Sequence, residues 1–105
     1  MSLRTYELMI LLDPDLEPEA QEAITKRSEE LISQSGGKLE KTDVWGRRYL
    51  SYEIKHKKEA YYLLYTFTSS PEEVAEIERV LGIIDGVLRF RLFVLPPEAL
   101  KGKSA

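Results

Sequence analysis

The clearest structural signal in the sequence is EAYYLLYTFTSSPEEVAEIERVLG, residues 59–82. In this stretch a strong strand pattern is followed directly by the start of a helix. Residues 59–68 are rich in aromatic and β-branched side chains, which favour a strand. Ser70 is followed by Pro71, and Glu73 lies three residues after the serine, a combination typical of a helix N-terminus. The predicted helix over 70–81 carries an apolar stripe at three positions: Val74, Ile77 and Leu81.

The residues on both sides of this stretch also have strand and helix patterns. Residues 5–12 and 87–95 predict strands, and residues 16–37 predict a helix that ends at a pair of glycines. Residues 38–55 predict a long strand with a bulge or bend at Gly46. The resulting order, β-α-β-β-α-β, predicts an α+β protein of ferredoxin-like architecture. We expect a four-stranded antiparallel sheet with both helices on one face and the other face open.

Length and composition predict one domain over residues 1–96, followed by a short, basic, mobile tail over 97–105. The chain has no cysteine, which excludes disulfides and fits a reducing compartment. Its apolar runs are far too short to cross a membrane. We therefore expect a cytoplasmic protein.

Alternation along the strands predicts which side chains face the helices and which face outward. The predicted inward positions are Leu8, Ile10, Leu12, Leu50, Tyr52, Ile54, Leu63, Tyr65, Phe67, Leu88, Phe90, Leu92 and Val94. On the open face we expect Arg47, Arg89 and Arg91 beside an apolar and aromatic set: Met9, Leu11, Tyr49, Tyr62, Leu64 and Phe93. Such a mixture is typical of an interface with a macromolecule, and a flat sheet offers little for a small molecule.

The charge is unevenly distributed along the chain. The formal net charge is −3, yet residues 38–58 carry seven basic against three acidic side chains. An acidic protein with one basic face binds RNA weakly by itself, and more strongly when a partner supplies further positive charge.

Catalytic and metal-binding chemistry finds little support in the residues. His56 is the only histidine and lies in a lysine-rich turn, and without cysteine a transition-metal site has almost no ligands. No glycine-rich phosphate loop occurs. We expect neither enzyme activity nor a cofactor nor a metal. RNA-recognition motifs share the element order, but the strand over 59–68 lacks their stacking signature, and only Tyr62 is placed to stack on a base.

The segment GRRYLSYEIK, residues 46–55, resembles the signature of the bacterial small-subunit ribosomal protein six family: glycine, a base, then Leu-Ser-Tyr-x-Ile and a base. Residues 4–7, Arg-Thr-Tyr-Glu, resemble the opening of the family, and residues 61–67, 70–72 and 85–89 resemble its later segments. The chain departs from the family pattern at Tyr49, Glu53 and Ala60, and again after its last strand.

The resemblance implies a structural component of the bacterial small ribosomal subunit. It implies binding to the central domain of the small-subunit ribosomal RNA as a heterodimer with small-subunit ribosomal protein eighteen, by a chain that is monomeric when isolated. Recognition of RNA in this way would use phosphates and shape more than base edges.

For the RNA we expect a cluster of Arg4, Arg89 and Arg91, and as second choices Lys55, Lys57 and Lys58. Arg47 and Arg48 are either RNA contacts or structural residues paired with Glu40 or Asp43. The alternative function is a regulatory ferredoxin-like module that dimerises through its open face and binds a metabolite.

Overall fold

The computed structural model describes residues 3–96, and the tail predicted over 97–105 lies outside the described residues. The elements follow the predicted order: β1 Arg4–Leu12, α1 Pro18–Gln34, β2 Lys38–Ile54, β3 Lys57–Ser69, α2 Pro71–Leu81 and β4 Val87–Leu95. The four strands form one sheet in the order β2-β3-β1-β4, and every pair is antiparallel. The predicted ferredoxin-like fold is confirmed.

The core lies between the helices and one face of the sheet. Alternate residues of the two central strands are buried there, as predicted for β1 and β3: Tyr6, Leu8, Ile10, Leu12, Leu63, Tyr65 and Phe67. The rings of Tyr6 and Phe67 stack with their centres 5.6 Å apart. Helix α1 contributes Ile24 and Leu31, and helix α2 contributes Val74, Ile77 and Leu81. The apolar stripes of both helices therefore face the sheet.

The helix ends show how the chain is locally guided. Ser70 lies at the predicted start of α2, but it caps through its backbone: its carbonyl accepts bonds from Glu73 and Val74, and its hydroxyl makes no capping bond. The ring of Pro71 fits at the first helical position because no N–H partner is needed there. In α1, Ser28 is buried and donates its hydroxyl proton to the Ile24 carbonyl at 2.9 Å. The serine is thus satisfied within an otherwise apolar stripe.

Strand β2 has a bulge at the predicted position. Val44 lies opposite Leu63, whereas Gly46 lies opposite Tyr62, so Trp45 is an extra residue in β2. Gly46 has a φ of 79°, which side chains with a Cβ rarely adopt. Because successive residues of a strand point to opposite faces, one extra residue exchanges inward and outward positions beyond it.

The predicted inward orientation of Leu50, Tyr52 and Ile54 is consequently wrong. All three line a pocket on the open face, and Tyr52 is 61% exposed. Arg47 and Tyr49 were predicted on the open face, and this is also wrong, since they lie opposite Tyr61 and Glu59 on the helix side of β3. The prediction placed the apolar residues inward, whereas the register of β2 against β3 sets the faces here.

Strand β4 also contains an extra residue, and this changes which of its side chains face the core. Leu12 lies opposite Val87 and Leu11 lies opposite Arg89, so Leu88 is the extra residue there. Val87 is therefore in the core in place of Leu88. Val94 lies opposite the core residue Tyr6, as its predicted orientation requires, but it is 52% exposed, so its side chain is not part of the core.

Replacing Gly46 with alanine should destabilise the protein, because a Cβ is unfavourable at a positive φ even though no atom lies within 4 Å of it. We expect the free energy of unfolding to fall by about 1–2 kcal/mol, measured by urea denaturation. Gly82→Ala is the control, since Gly82 ends α2 at a φ of −67°. Equal stability of the two variants would contradict the role of the bulge.

Candidate interface on the open face of the sheet

The open face is built from residues that lie in rows across the sheet. In the first row Gly46, Tyr62, Leu11 and Arg89 lie side by side on β2, β3, β1 and β4. In the second row the corresponding residues are Asp43, Leu64, Met9 and Arg91, and in the third they are Lys41, Thr66, Glu7 and Phe93. The rows place an apolar centre on β3 and β1 next to two arginines on β4. This arrangement agrees with the predicted open-face positions of Met9, Leu11, Tyr62, Leu64 and Phe93.

The sole tryptophan extends this apolar surface toward β2. Trp45 stacks on Tyr62, with ring centres 6.1 Å apart and ring planes within 13° of each other. Because Trp45 remains 47% exposed, the pair presents an aromatic surface at the edge of the open face. Trp45 is not among the residues predicted on the open face, although the predicted bulge at Gly46 was the signal that could have found it.

The end of β2 folds over the open face, and we call residues 50–54 the arm. The pairing Tyr49–Glu59 changes to Ile54–Lys57 at the end of the hairpin, so β2 has more residues here than β3. The extra residues of β2 lie over the first row of the sheet. Leu11 is only 4% exposed although it is on the open face. Leu50, Tyr52 and Ile54 of the arm line a pocket of about 160 Å³ together with Met9, Leu11, Tyr62, Arg89 and Arg91.

The tip of the hairpin is a two-residue turn. Lys55 and His56 have φ angles of 49° and 67°, the left-handed conformation that such turns use at both central positions. Both residues are exposed, as is Lys58. The lysine-rich turn expected around His56 is thus present, and its two central residues are Lys55 and His56.

The two arginines of β4 are the best-placed positive charges of the open face. Arg89 donates from Nη1 to the Tyr52 hydroxyl at 2.9 Å, and its guanidinium carbon lies 5.9 Å from the centre of the Tyr52 ring. Arg91 lines the same pocket. Across residues 3–96, neither arginine forms a salt bridge with a carboxylate. Their charge is therefore available to an external anion.

The other predicted cations have different surroundings. Arg4 does not join Arg89 and Arg91, because it alternates onto the side of Tyr6 and lies near the opposite end of β1 from Leu11. Lys57 contacts Asp15 at 2.8 Å and Asp13 at 3.4 Å. Its charge is largely neutralised within the protein.

Arg47 is likewise held by carboxylates, though not by the two that the sequence suggested. Its Nε donates to Glu59 at 2.8 Å, and its Nη2 lies 3.8 Å from Asp15. Arg48 donates from Nε to the Trp45 carbonyl at 3.2 Å and so supports the bulge. The pairing of either arginine with Glu40 or Asp43 is not observed within residues 3–96; Asp43 pairs with Lys41 at 3.4 Å instead.

Asp15 connects this ion-pair cluster to the loop that follows β1. The hydrogen bond and charge of Lys57, with a smaller contribution from Arg47, hold the pKa of Asp15 below its ordinary value of 3.8. The hydrogen bond to Asp15 likewise raises the pKa of Lys57. The cluster thus ties the hairpin formed by β2 and β3 to the loop between β1 and α1.

Two features are absent from the part of the chain that the structure describes: a cluster of metal-binding side chains and a membrane-spanning helix. No group of three or more His, Cys, Asp or Glu side chains converges within residues 3–96. In the same range, no helix has the length and apolarity needed to cross a bilayer. The open face therefore offers charge, aromatic rings and apolar surface, which suit a macromolecular interface.

Comparison with known proteins identifies the class to which this fold and face belong. Residues 5–93 match the family model described as ribosomal protein S6. The small ribosomal subunit protein bS6 of Caldanaerobacter subterraneus subsp. tengcongensis is 46% identical over 88 residues, covering 84% of this chain and 93% of that protein. The corresponding protein of Symbiobacterium thermophilum is 42% identical over 96 residues, covering 91% of this chain and 100% of the relative.

A solved structure agrees with these relatives. The 30S ribosomal protein S6 of Thermotoga maritima superposes with a TM-score of 0.88 at 26% identity, covering 98% of this chain and 95% of that one. The molecule is thus a structural protein of the small ribosomal subunit and not an enzyme. Specifically, the chain belongs to the ribosomal protein S6 family.

The Asp15 ion pair should make stability depend on pH in the acid range. Because the pKa of Asp15 is lowered in the folded state, its stabilising effect is present above the ordinary value of 3.8 and is lost as the pH falls through the lowered pKa. We expect Asp15→Asn to lower the melting temperature at pH 7, and the difference from the wild type to shrink below about pH 4.

The measurement is thermal unfolding followed by circular dichroism between pH 2 and pH 7. In a Lys57→Met background the same Asp15→Asn change should have a smaller effect, because the principal partner of Asp15 is gone. A difference in melting temperature that does not vary with pH would contradict the ion pair as its cause.

Proposed function

We propose that the chain binds the central domain of the small-subunit ribosomal RNA as a heterodimer with ribosomal protein S18, in the cytoplasm, and that it is a monomer in isolation. The observation that carries the proposal is the open face, where two arginines without carboxylate partners in residues 3–96 lie beside an apolar and aromatic surface. Membership in the S6 family supports a place beside ribosomal RNA.

The two halves of this face suit two different contacts. The β4 side presents Arg89 and Arg91, whose guanidinium groups can each form paired hydrogen bonds to a phosphate. The centre and the β2 side present Met9, Tyr62, Leu64 and the exposed ring of Trp45. Apolar surface of this kind contributes to affinity when a protein covers it. We therefore assign the β4 side to RNA. The centre and the β2 side are assigned to the protein partner, and Phe93 lies between the two areas.

The net charge of −3 explains why a partner is needed. Affinity for RNA depends on the number of phosphates that basic side chains neutralise. In this chain Arg47 and Lys57 are occupied by internal carboxylates, which leaves few cations for phosphates. A basic companion supplies the missing contacts and is attracted by the acidic surface of this chain. Arg4, Lys55 and Lys58 are exposed and remain candidates for peripheral phosphate contacts. Lys57 pairs with internal carboxylates and Tyr49 lies on the helix side of β2, so we assign neither to the interface.

Removing both arginines of β4 should weaken RNA binding in a salt-dependent way. For Arg89→Ala combined with Arg91→Ala we expect the affinity for a central-domain RNA fragment to fall at least about tenfold, and the slope of log affinity against log salt to decrease by about two. Filter binding of the protein pair over a salt series measures both quantities.

The matched control removes two positive charges from the exposed surface of α1, by Lys26→Ala combined with Arg27→Ala, where both residues pair with glutamates of the same helix. This control should retain the wild-type affinity and slope. If the β4 double variant also retains them, the RNA contact does not lie on this face.

A charge placed at the centre of the open face should weaken pairing with S18. Leu64 lies between Asp43 and Met9 in the second row, so Leu64→Asp would bury an unpaired carboxylate under the partner. We expect the dissociation constant of the heterodimer to rise at least about tenfold, measured by titration calorimetry.

Val44→Asp is the control for this variant, because Val44 lies on the helix side of β2 and is 58% exposed. Sedimentation of the chain alone tests the monomeric state in the same preparation. A stable homodimer, disrupted by Leu64→Asp, would instead support the dimeric regulatory module.

A further inference from the structure

Tyr52 and Arg89 come from strands at opposite edges of the sheet. With the order β2-β3-β1-β4, three strand spacings separate β2 from β4, a distance of about 14 Å in a flat sheet. Yet the Tyr52 hydroxyl oxygen lies 2.9 Å from Nη1 of Arg89. The arm, residues 50–54, must therefore cross above β3 and β1 to bring the phenol to β4.

The hydrogen bond leaves donors free at both ends. A tyrosine hydroxyl that accepts a bond from a guanidinium still has its own proton to donate. A guanidinium has five N–H groups, so four remain on Arg89 after the bond to Tyr52. Arg91 lines the same pocket and adds a second cation. Tyr52, Arg89 and Arg91 all line one opening of about 160 Å³.

Apolar side chains form part of the pocket wall. Leu11, Leu50 and Ile54 line it, and Leu11 is only 4% exposed. The contact with the Tyr52 ring at 5.9 Å also restrains the Arg89 side chain, so less conformational freedom is lost when an anion binds.

We propose that Tyr52, Arg89 and Arg91 form one phosphodiester-binding site, in which Tyr52 holds Arg89 in place and donates its own proton to a phosphate oxygen of RNA. The proposal rests on the proposed function, and it adds an RNA-contacting residue and a role for the arm. Phosphate is favoured over a protein carboxylate because the predicted partner is basic, and two unpaired arginines would repel a basic surface.

The test separates the hydroxyl from the ring. Tyr52→Phe keeps the ring beside Arg89 and removes the hydroxyl, whereas Tyr52→Ala removes both. In filter binding of the protein pair to a central-domain RNA fragment, we expect Tyr52→Phe to lower the affinity about three- to tenfold, and Tyr52→Ala to lower it further. Tyr49→Phe is the matched control, because Tyr49 precedes the arm on β2 and is 82% exposed. It should leave the affinity unchanged.

A double-mutant cycle distinguishes positioning from a general structural effect. In an Arg89→Ala background, Tyr52→Phe should lower the affinity less than it does in the wild type, because only the bond from the hydroxyl to the phosphate is then lost. The salt dependence adds a second criterion. Arg89→Ala should reduce the slope of log affinity against log salt by about one, while Tyr52→Phe should leave the slope nearly unchanged.

Three outcomes would overturn the site. They are a wild-type affinity for Tyr52→Phe, an equal effect of Tyr52→Phe with and without Arg89, and a loss of pairing with S18 at unchanged affinity for RNA. The last result would assign the pocket to a carboxylate of the partner protein. These failures leave the effect of Arg89→Ala on RNA binding intact, whereas failure of the proposed function removes it, so the two can be told apart.

Discussion

The surface chemistry of this protein depends on the register of strand β2 against β3, which shifts at three places. Trp45 is inserted opposite β3, and Gly46 takes the positive φ that the insertion needs. Beyond this point Arg47 and Tyr49 lie opposite Tyr61 and Glu59 on the helix side of the hairpin. As a result, Tyr52 reaches the open face and Arg47 reaches the carboxylates near the helix side. A bulge of this kind re-aims side chains without changing the order of the strands.

Much of the fold could be predicted because the signals for it are local. The apolar alternation of β1 and β3 and the Ser-Pro-Glu-Glu start of α2 are determined by neighbouring residues, and these elements form where predicted. The faces of β2 beyond Gly46 could not be predicted in the same way. The bulge was expected, but the faces beyond it were predicted from the apolar and aromatic character of residues 50, 52 and 54. Leu50, Tyr52 and Ile54 have a spacing that fits either face, so only the register with β3 decides between them.

The candidate site was predictable where it depends on one strand and not where it depends on contacts between distant segments. Arg89 and Arg91 lie on the open face because β4 alternates regularly over that stretch. The surplus of basic residues over 38–58 was a weaker guide. Two members of that surplus are neutralised by internal carboxylates, among them Asp13 and Asp15, which are more than 30 positions away in sequence. Positive charge counted along a chain therefore overestimates the charge that a folded surface offers.

The stacked pair of Trp45 and Tyr62 has a practical consequence. Trp45 is the only tryptophan of the chain, and its ring is half exposed at the edge of the open face. Its fluorescence therefore comes from one known place on the molecule, and the emission responds to the polarity around that ring. The protein thus carries an intrinsic optical probe of whatever covers this surface, and assembly could be followed in time without attaching a label.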